Sequence, residues 1–316
     1  MALKSHDRYD YSAIVNRPDY DFPGGKRLAV YFALNVEHFT FGEGLGNDYG
    51  VPAPQPNTRS FAWRDYGNRV GAWRLLELAE RYDLPYALLA NSALYDYCPE
   101  MIAAFSSRGD EIVGHGRTNS ERQADMSRAE ELACITEATA VIEKHEKKKP
   151  GGWLAPYISQ TVDSPDLLRE AGYRYMMDWP LDDQPNWFRT KHGPILAIPY
   201  SHDSNDSLEV VTRRTPSQLY CENLIDQFDE LLEESARRPV VMSVVMHSFI
   251  LGQPHRVRQF RRVIEHIVRQ RDKVWLTRPG EIFHHIESLP AGLVPGSPGY
   301  ADLKDRLGGG TRRVNK

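Results

Sequence analysis

Short apolar runs of β character alternate with helical stripes along most of this chain, and that alternation limits the fold more than any other feature. Residues 27–34 form a β-rich run apolar on both faces, as in a strand buried within a parallel sheet. Further strand patterns fall at 85–90, 111–114, 153–155, 173–177, 195–198, 240–246 and 273–276. Between them, Val70, Trp73, Leu76 and Ala79 mark a helical stripe, and helices are expected at 99–105, 127–145, 164–170, 215–235, 254–270 and 279–286. Ser127 and Glu130 have the spacing of a capping box at the start of one of them. So many strand–helix units without a linker or repeat predict one α/β domain, its parallel sheet closed into a barrel rather than left open.

The expected boundaries are a polar N-terminal extension over 1–26, a barrel over 27–288 and a flexible C-terminal tail over 289–316, where Gly and Pro accumulate. One long loop, residues 39–65, carries glycines and three prolines, and a loop of that length in a compact domain is usually functional or mobile. Its glycines 42, 44 and 46 superficially echo a phosphate-binding loop, but no helix pattern follows them directly.

A hydrophobic fraction of 41% and a charged fraction of 26% describe an ordinary globular chain, and a formal charge of −4 gives no support for binding nucleic acid or an anionic membrane. The basic clusters 147–149 and 256–262 read as a solvated helix end and a wet helix face. No apolar run approaches a membrane span, and the first residues lack a secretory pattern. Cys98, Cys134 and Cys221 are widely spaced, and Cys134 falls inside a helical pattern as a packed thiol. These features predict a cytoplasmic protein acting on a small-molecule substrate.

Four ionisable residues follow four different strands: Glu37, His115, Asp178 and His247. In a parallel barrel those strand ends converge on one face, where barrel enzymes place their sites. Taken singly, each has a bland reading: a solvated loop Glu, a packed His, a turn Asp. The set of four is harder to dismiss. His115 is flanked by Gly114 and Gly116, which permit close approach of a ligand. His255, His266, His284 and His285 fall on helix surfaces by pattern.

The ordered motifs carry a resemblance. Leu34-Asn35-Val36-Glu37-His38, Tyr66-Gly67-Asn68-Arg69-Val70-Gly71-Ala72-Trp73-Arg74-Leu75-Leu76, Gly114-His115-Gly116 and Gly152-Trp153 are followed by Ile198-Pro199-Tyr200-Ser201-His202-Asp203-Ser204-Asn205-Asp206 and by His247-Ser248-Phe249-Ile250-Leu251-Gly252-Gln253-Pro254-His255-Arg256. Over roughly residues 18–288 this set resembles the polysaccharide deacetylase homology family, and most closely its branch of metal-independent allantoinases and cyclic-imide hydrolases. The resemblance implies a distorted (β/α) barrel of seven or eight strands and hydrolysis of a non-peptide C–N bond, and it suggests assembly into a homo-oligomer.

It also implies roles: Glu37 as general base, His247 as general acid, Asp178 as its orienter. His115, Asn119, Trp153, Pro156, Tyr157, Trp179 and Trp187 would surround the substrate, with the oxyanion held by backbone N–H groups near Gly116 or by the Asn119 amide. Partial burial is expected to raise the Glu37 pKa toward neutrality. The departures from the family bear on cofactors. Metal-dependent members begin with Asp-Asp and carry His-x-x-x-His; this chain has Glu37-His38, then His115 with Asn119 in the second histidine's place, and Leu154 where a bracing arginine stands. No tightly bound metal is therefore expected. A zinc ion held by His38 and His115, in a metal-dependent deacetylase of acetamido sugars, is the alternative, and a non-catalytic carbohydrate-binding barrel is a third reading.

Overall fold

The computed structural model describes residues 5–43 and 54–301. Nine strands form one sheet: β1 (Leu28–Val36), β2 (Tyr86–Ala90), β3 (Glu111–Gly114), β4 (Gly152–Trp153), β5 (Tyr175–Met176), β6 (Asn186–Phe188), β7 (Ile195–Ala197), β8 (Val240–His247) and β9 (Trp275–Thr277). Their order is β6-β7-β5-β4-β3-β2-β1-β8, with β9 pairing the first half of β1. All pairs are parallel except β6–β7. Irregular chain closes the remaining side: Val241 N–H donates to Asp183 O at 2.8 Å, and Asn205 bridges to Val245. The result is a distorted (β/α) barrel with helices outside.

The central strands are continuous apolar runs because both faces are covered; all nine residues of β1 and all eight of β8 are buried. The two-residue period of a strand sorts them. Ala29, Tyr31 and Ala33 share the barrel interior with Ala87, Leu89, Val113, Leu154, Tyr175, Met177 and Val245. Leu28, Val30, Phe32, Leu34 and Val36 pack outward under the helices, among them Ala72–Tyr82, Ser217–Glu234 and Pro254–Arg269. The capping box at Ser127 is present, and Cys134 is buried in the helix Arg128–Glu146.

Three expectations need correction. The expected 39–65 loop ends early, because Asn57 caps a helix at Thr58–Tyr66 by accepting from Ser60 N–H at 3.0 Å; residues 44–53, with glycines 44 and 46, lie outside the described residues. β6 is a strand where none was expected, three residues in a Pro- and Asp-rich stretch without a strand pattern. The chain after Leu289 does not hang free as far as it is described: Val294 and Tyr300 are buried, and Pro295 O accepts from Trp187 N–H at 2.8 Å. Val294 joins Tyr20 and Phe22 of the N-terminal extension, with Ile282, Phe283 and Ile286, in closing the lower end of the barrel.

Between the helices Thr58–Tyr66 and Ala72–Tyr82 lies a π-helical turn, Gly67–Gly71. A Cβ on Gly71 would sit 2.0 Å from Ser248 O, and one on Gly252 would sit 2.3 Å from the Gly71 Cα. Glycine at both places lets this turn press directly on the segment that follows β8. The same turn reaches the end of β1, where Asn68 Nδ2 donates to Glu37 O at 2.9 Å.

Candidate active site

Register and parity bring the site together. Asn35 pairs with His247 across β1 and β8, and Val36 pairs with Ala90 across β1 and β2. Glu37 therefore emerges next to the ends of both neighbouring strands. Residues 35 and 37 continue the inward set of β1, 247 that of β8, and 115 that of β3, so all three ionisable side chains turn into the barrel mouth. Glu37 Oε1 lies 3.5 Å from His247 Nε2 and 3.7 Å from His115 Nε2. All three residues are buried.

The partner of His247 is Asp206, which the sequence reading passed over. Asp206 Oδ1 lies 2.6 Å from His247 Nδ1, and Oδ2 accepts from the His247 backbone N–H at 2.8 Å. A carboxylate here fixes the hydrogen on Nδ1 in the neutral ring and steadies the imidazolium when it forms. Asp178, expected in this role, is elsewhere. Tyr175 and Met177 face inward, so residue 178 falls on the opposite parity, and its Oδ1 accepts from Ala155 N–H at 2.6 Å.

The charges settle one another. Burial pushes the Glu37 carboxyl up, but the adjacent His247, His115 and Arg64 outweigh it and leave its pKa below the usual carboxylate value. The expectation of a Glu37 pKa raised toward neutrality is thus reversed, chiefly because the carboxylate faces His247 across the barrel mouth. Burial pushes His247 down, and the carboxylates of Asp206 and Glu37 outweigh this and raise it. Between the two pKa values, Glu37 is anionic while His247 holds its proton. Asp178 has no nearby cation, and burial raises it to about 8.

A cavity of about 160 Å³ opens onto these groups. Phe39, Trp63, Tyr157, Tyr200 and Phe249 contribute its aromatic walls, with Asn35, His202 and Asn205 as polar lining. Arg64, which the sequence reading did not single out, is the lone Lys or Arg among the described lining residues, its guanidinium carbon 4.3 Å from the centre of the Phe39 ring. Asn91 ties the mouth together: its Oδ1 accepts from His38 N–H at 2.8 Å, and its Nδ2 donates to His115 O and, at 2.9 Å, to Asn119 Oδ1.

Of the residues expected around a substrate, His115 and Tyr157 line the cavity. Tyr157 sits at φ 63° and donates to Asn119 O at 2.9 Å. Asn119 braces the loop rather than lining the cavity, and its own N–H donates to His38 O at 2.8 Å. Pro156 packs against Gly116. Trp153 is wholly buried, its Nε1 donating to Gln123 Oε1 at 2.9 Å, because it faces outward from β4. Trp179 meets Tyr9 and Phe188 edge to face, and Trp187 packs at the C-terminal segment beside Pro295. These three tryptophans belong to packing, and neither Asn119 nor Pro156 borders the cavity.

The His38 ring packs against Tyr97, with centroids 4.7 Å apart, and the Asn119 amide oxygen is engaged by Asn91. Among the described residues no three His, Cys, Asp or Glu side chains are grouped to hold an ion. No helix among them is long and apolar enough to cross a membrane.

At the barrel mouth a buried carboxylate, Glu37, faces an imidazole, His247, that a second carboxylate, Asp206, holds in place, and such a barrel has counterparts among known proteins. A family model for polysaccharide deacetylase matches residues 63–176. A Schizosaccharomyces pombe protein assigned to the polysaccharide deacetylases is 25% identical over 281 residues, 82% of this chain and 85% of that protein. The crystal structure of Puue allantoinase superposes with a TM-score of 0.79 at 28% identity, covering 88% of this chain and 98% of that one. A Pseudomonas aeruginosa protein assigned to the polysaccharide deacetylases gives 0.76 at 29%, covering 84% and 92%. The chain is thus similar to the polysaccharide deacetylase homology family, and it is an enzyme, a hydrolase acting on carbon–nitrogen bonds other than peptide bonds.

Proposed function

We propose that this enzyme hydrolyses a small cyclic amide, imide or ureide without a catalytic metal. The observation that carries the reading is the Glu37–His247–Asp206 array at a cavity of about 160 Å³, with the residues at the family's ligand positions, His38 and Asn119, engaged in other contacts. A cavity of ~150 Å³ accommodates one benzene-sized ring, so this one suits a single flat heterocycle between aromatic walls. Puue allantoinase, whose name specifies a ureide hydrolase, is among the similar structures.

The mechanism follows from the proton positions. Glu37, anionic, accepts a proton from water as the water oxygen attacks the carbonyl carbon. Negative charge builds on the carbonyl oxygen, and Arg64 supplies the nearby positive charge that opposes it. His247 gives its Nε2 proton to the ring nitrogen as the C–N bond breaks. Glu37, 3.5 Å away, then returns its proton to His247 and resets the site. Asp206 keeps the imidazole aligned throughout. A homo-oligomeric, cytoplasmic enzyme remains the companion proposal from the sequence.

The test is a hydrolysis screen of cyclic ureides, imides and N-acetylated sugars, each with and without chelator. Turnover of a ring substrate that survives chelation, and that falls at least a thousandfold in Glu37→Gln and His247→Ala, is the expected result. The names of the family model and of the S. pombe relative favour a second reading, removal of an acetyl group from a sugar amide. Chelator-sensitive turnover of the acetylated sugar, and of nothing cyclic, would establish it instead.

A further inference from the structure

One peptide group beneath the cavity is held at both ends by buried side chains. The Leu154 carbonyl oxygen lies 2.7 Å from His115 Nδ1, and the N–H of the same peptide, on Ala155, donates to Asp178 Oδ1 at 2.6 Å. A carbonyl oxygen can only accept, so His115 Nδ1 carries a hydrogen, and the neutral ring keeps its lone pair on Nε2. His115 borders the cavity as a residue only 2% exposed, with Nε2 itself buried. Nε2 lies 3.7 Å from Glu37 Oε1, outside hydrogen-bonding distance, and has no hydrogen-bond partner among the described residues.

We propose that His115 Nε2 accepts a hydrogen bond from an N–H of the substrate, its lone pair locked toward the cavity through the Leu154–Ala155 peptide by Asp178. The lock is a physical chain. Asp178 fixes the N–H end of the peptide, the planar amide fixes its carbonyl, and the carbonyl fixes both the tautomer and the ring plane of His115. Asp178 is thus a positioning residue, acting on His115 rather than on His247. The cavity then presents two inward acceptors, Glu37 Oε1 and His115 Nε2, against one imidazole donor, His247 Nε2. Such a surface complements a ring that carries an unsubstituted N–H beside its carbonyl, as in a ureide or imide. The substrate part of this inference rests on the proposed cyclic C–N hydrolysis; the tautomer lock does not.

Ring ¹⁵N NMR of histidine-labelled protein tests the lock without substrate. His115 should show a protonated Nδ1 and a bare Nε2 in the wild type and in Asp178→Asn, which keeps the acceptor for Ala155, and a mixture of tautomers in Asp178→Ala. A wild-type ring protonated at Nε2 would overturn the proposal, and that measurement stands even if the alanine variant does not fold. Binding of an N–H hydantoin and its N-methyl analogue, followed by calorimetry, tests the acceptor. The wild type should favour the N–H compound roughly 10- to 100-fold, the loss expected when a buried acceptor is left unmatched. The preference should vanish in His115→Leu. Equal binding by the wild type, or an undiminished preference in His115→Leu, would overturn it. The two failures separate: a wild type that hydrolyses no cyclic substrate refutes the proposed function, whereas the tautomer refutes or supports the lock.

Discussion

Replacing Asp206 with asparagine should nearly silence the enzyme while leaving it folded. Asp206 is wholly buried, and its two oxygens engage the ring and the backbone of the same histidine, at 2.6 and 2.8 Å. Asparagine keeps the volume, and its amide oxygen can still accept from the His247 N–H. Its NH₂ group would then face Nδ1, which must offer a lone pair, and the neutral ring would move its hydrogen to Nε2. In a hydrolytic site of this geometry, exchange of the orienting Asp for Asn costs about 10⁴ in turnover through the wrong tautomer. His247 also loses the nearest charge that raises its pKa, so less of it is protonated at neutral pH. We expect kcat to fall by roughly 10³–10⁴, or about 4–5.5 kcal/mol of barrier, with KM changed little. Steady-state hydrolysis of the substrate found in the screen measures the first effect, and an NMR titration of His247 the second, as a pKa displaced downward. A variant within fivefold of wild-type kcat, or one whose His247 titrates as before, would refute the assignment of Asp206.

Three further outcomes follow from the same geometry. The pH–rate profile should be a bell: Glu37, held below the usual carboxylate range, must be ionised, and His247, held above the usual imidazole range, must be protonated. An acid limb above the ordinary carboxylate range, or a basic limb below the ordinary imidazole range, would contradict the pairing of Glu37 with His247. Asp178→Asn should stabilise the fold at neutral pH. The carboxyl ionises near 3.8 when unfolded and near 8 when folded, so the native state holds a proton that the unfolded state releases, and wild-type stability falls between those values as pH rises. At pH 7 the penalty approaches ~4 kcal/mol as an upper bound, and a gain of about 1–3 kcal/mol is expected for asparagine, whose new N–H must also find a partner. Urea unfolding at pH 5 and pH 8 checks this, since the variant should lose the wild-type slope. Gly71→Ala places a methyl 2.0 Å from the Ser248 carbonyl oxygen and should cost about 1–3 kcal/mol or more, with reduced turnover because the displaced segment begins next to His247. Thermal melting and kcat read it together.

Much of the architecture was legible in the chain. The continuous apolar runs that became β1 and β8 can only be strands covered on both faces, and the polar residue ending each run, Glu37 or His247, had to emerge at one end of a parallel sheet. The capping box at Ser127 likewise announced its helix from local chemistry. Strand parity was also available, and applied to Tyr175 and Met177 it would have turned Asp178 away from His247. By contrast, β6 carries no apolar pattern, being held by its hairpin with β7 and by Pro295.

Three of the strand ends told that a carboxylate and two imidazoles would share the barrel mouth, because side-chain period and parallel pairing are local and repetitive. Which group serves which was decided by tertiary structure. Asp206 meets His247 across 41 residues because the irregular chain bridging Asn205 to Val245 closes the barrel there. Asp178 reaches His115 only through a peptide neither residue belongs to. The direction of the Glu37 pKa, too, depends on Arg64 and two histidines drawn from separate elements, and a charge balance of that kind exists only once the barrel has closed.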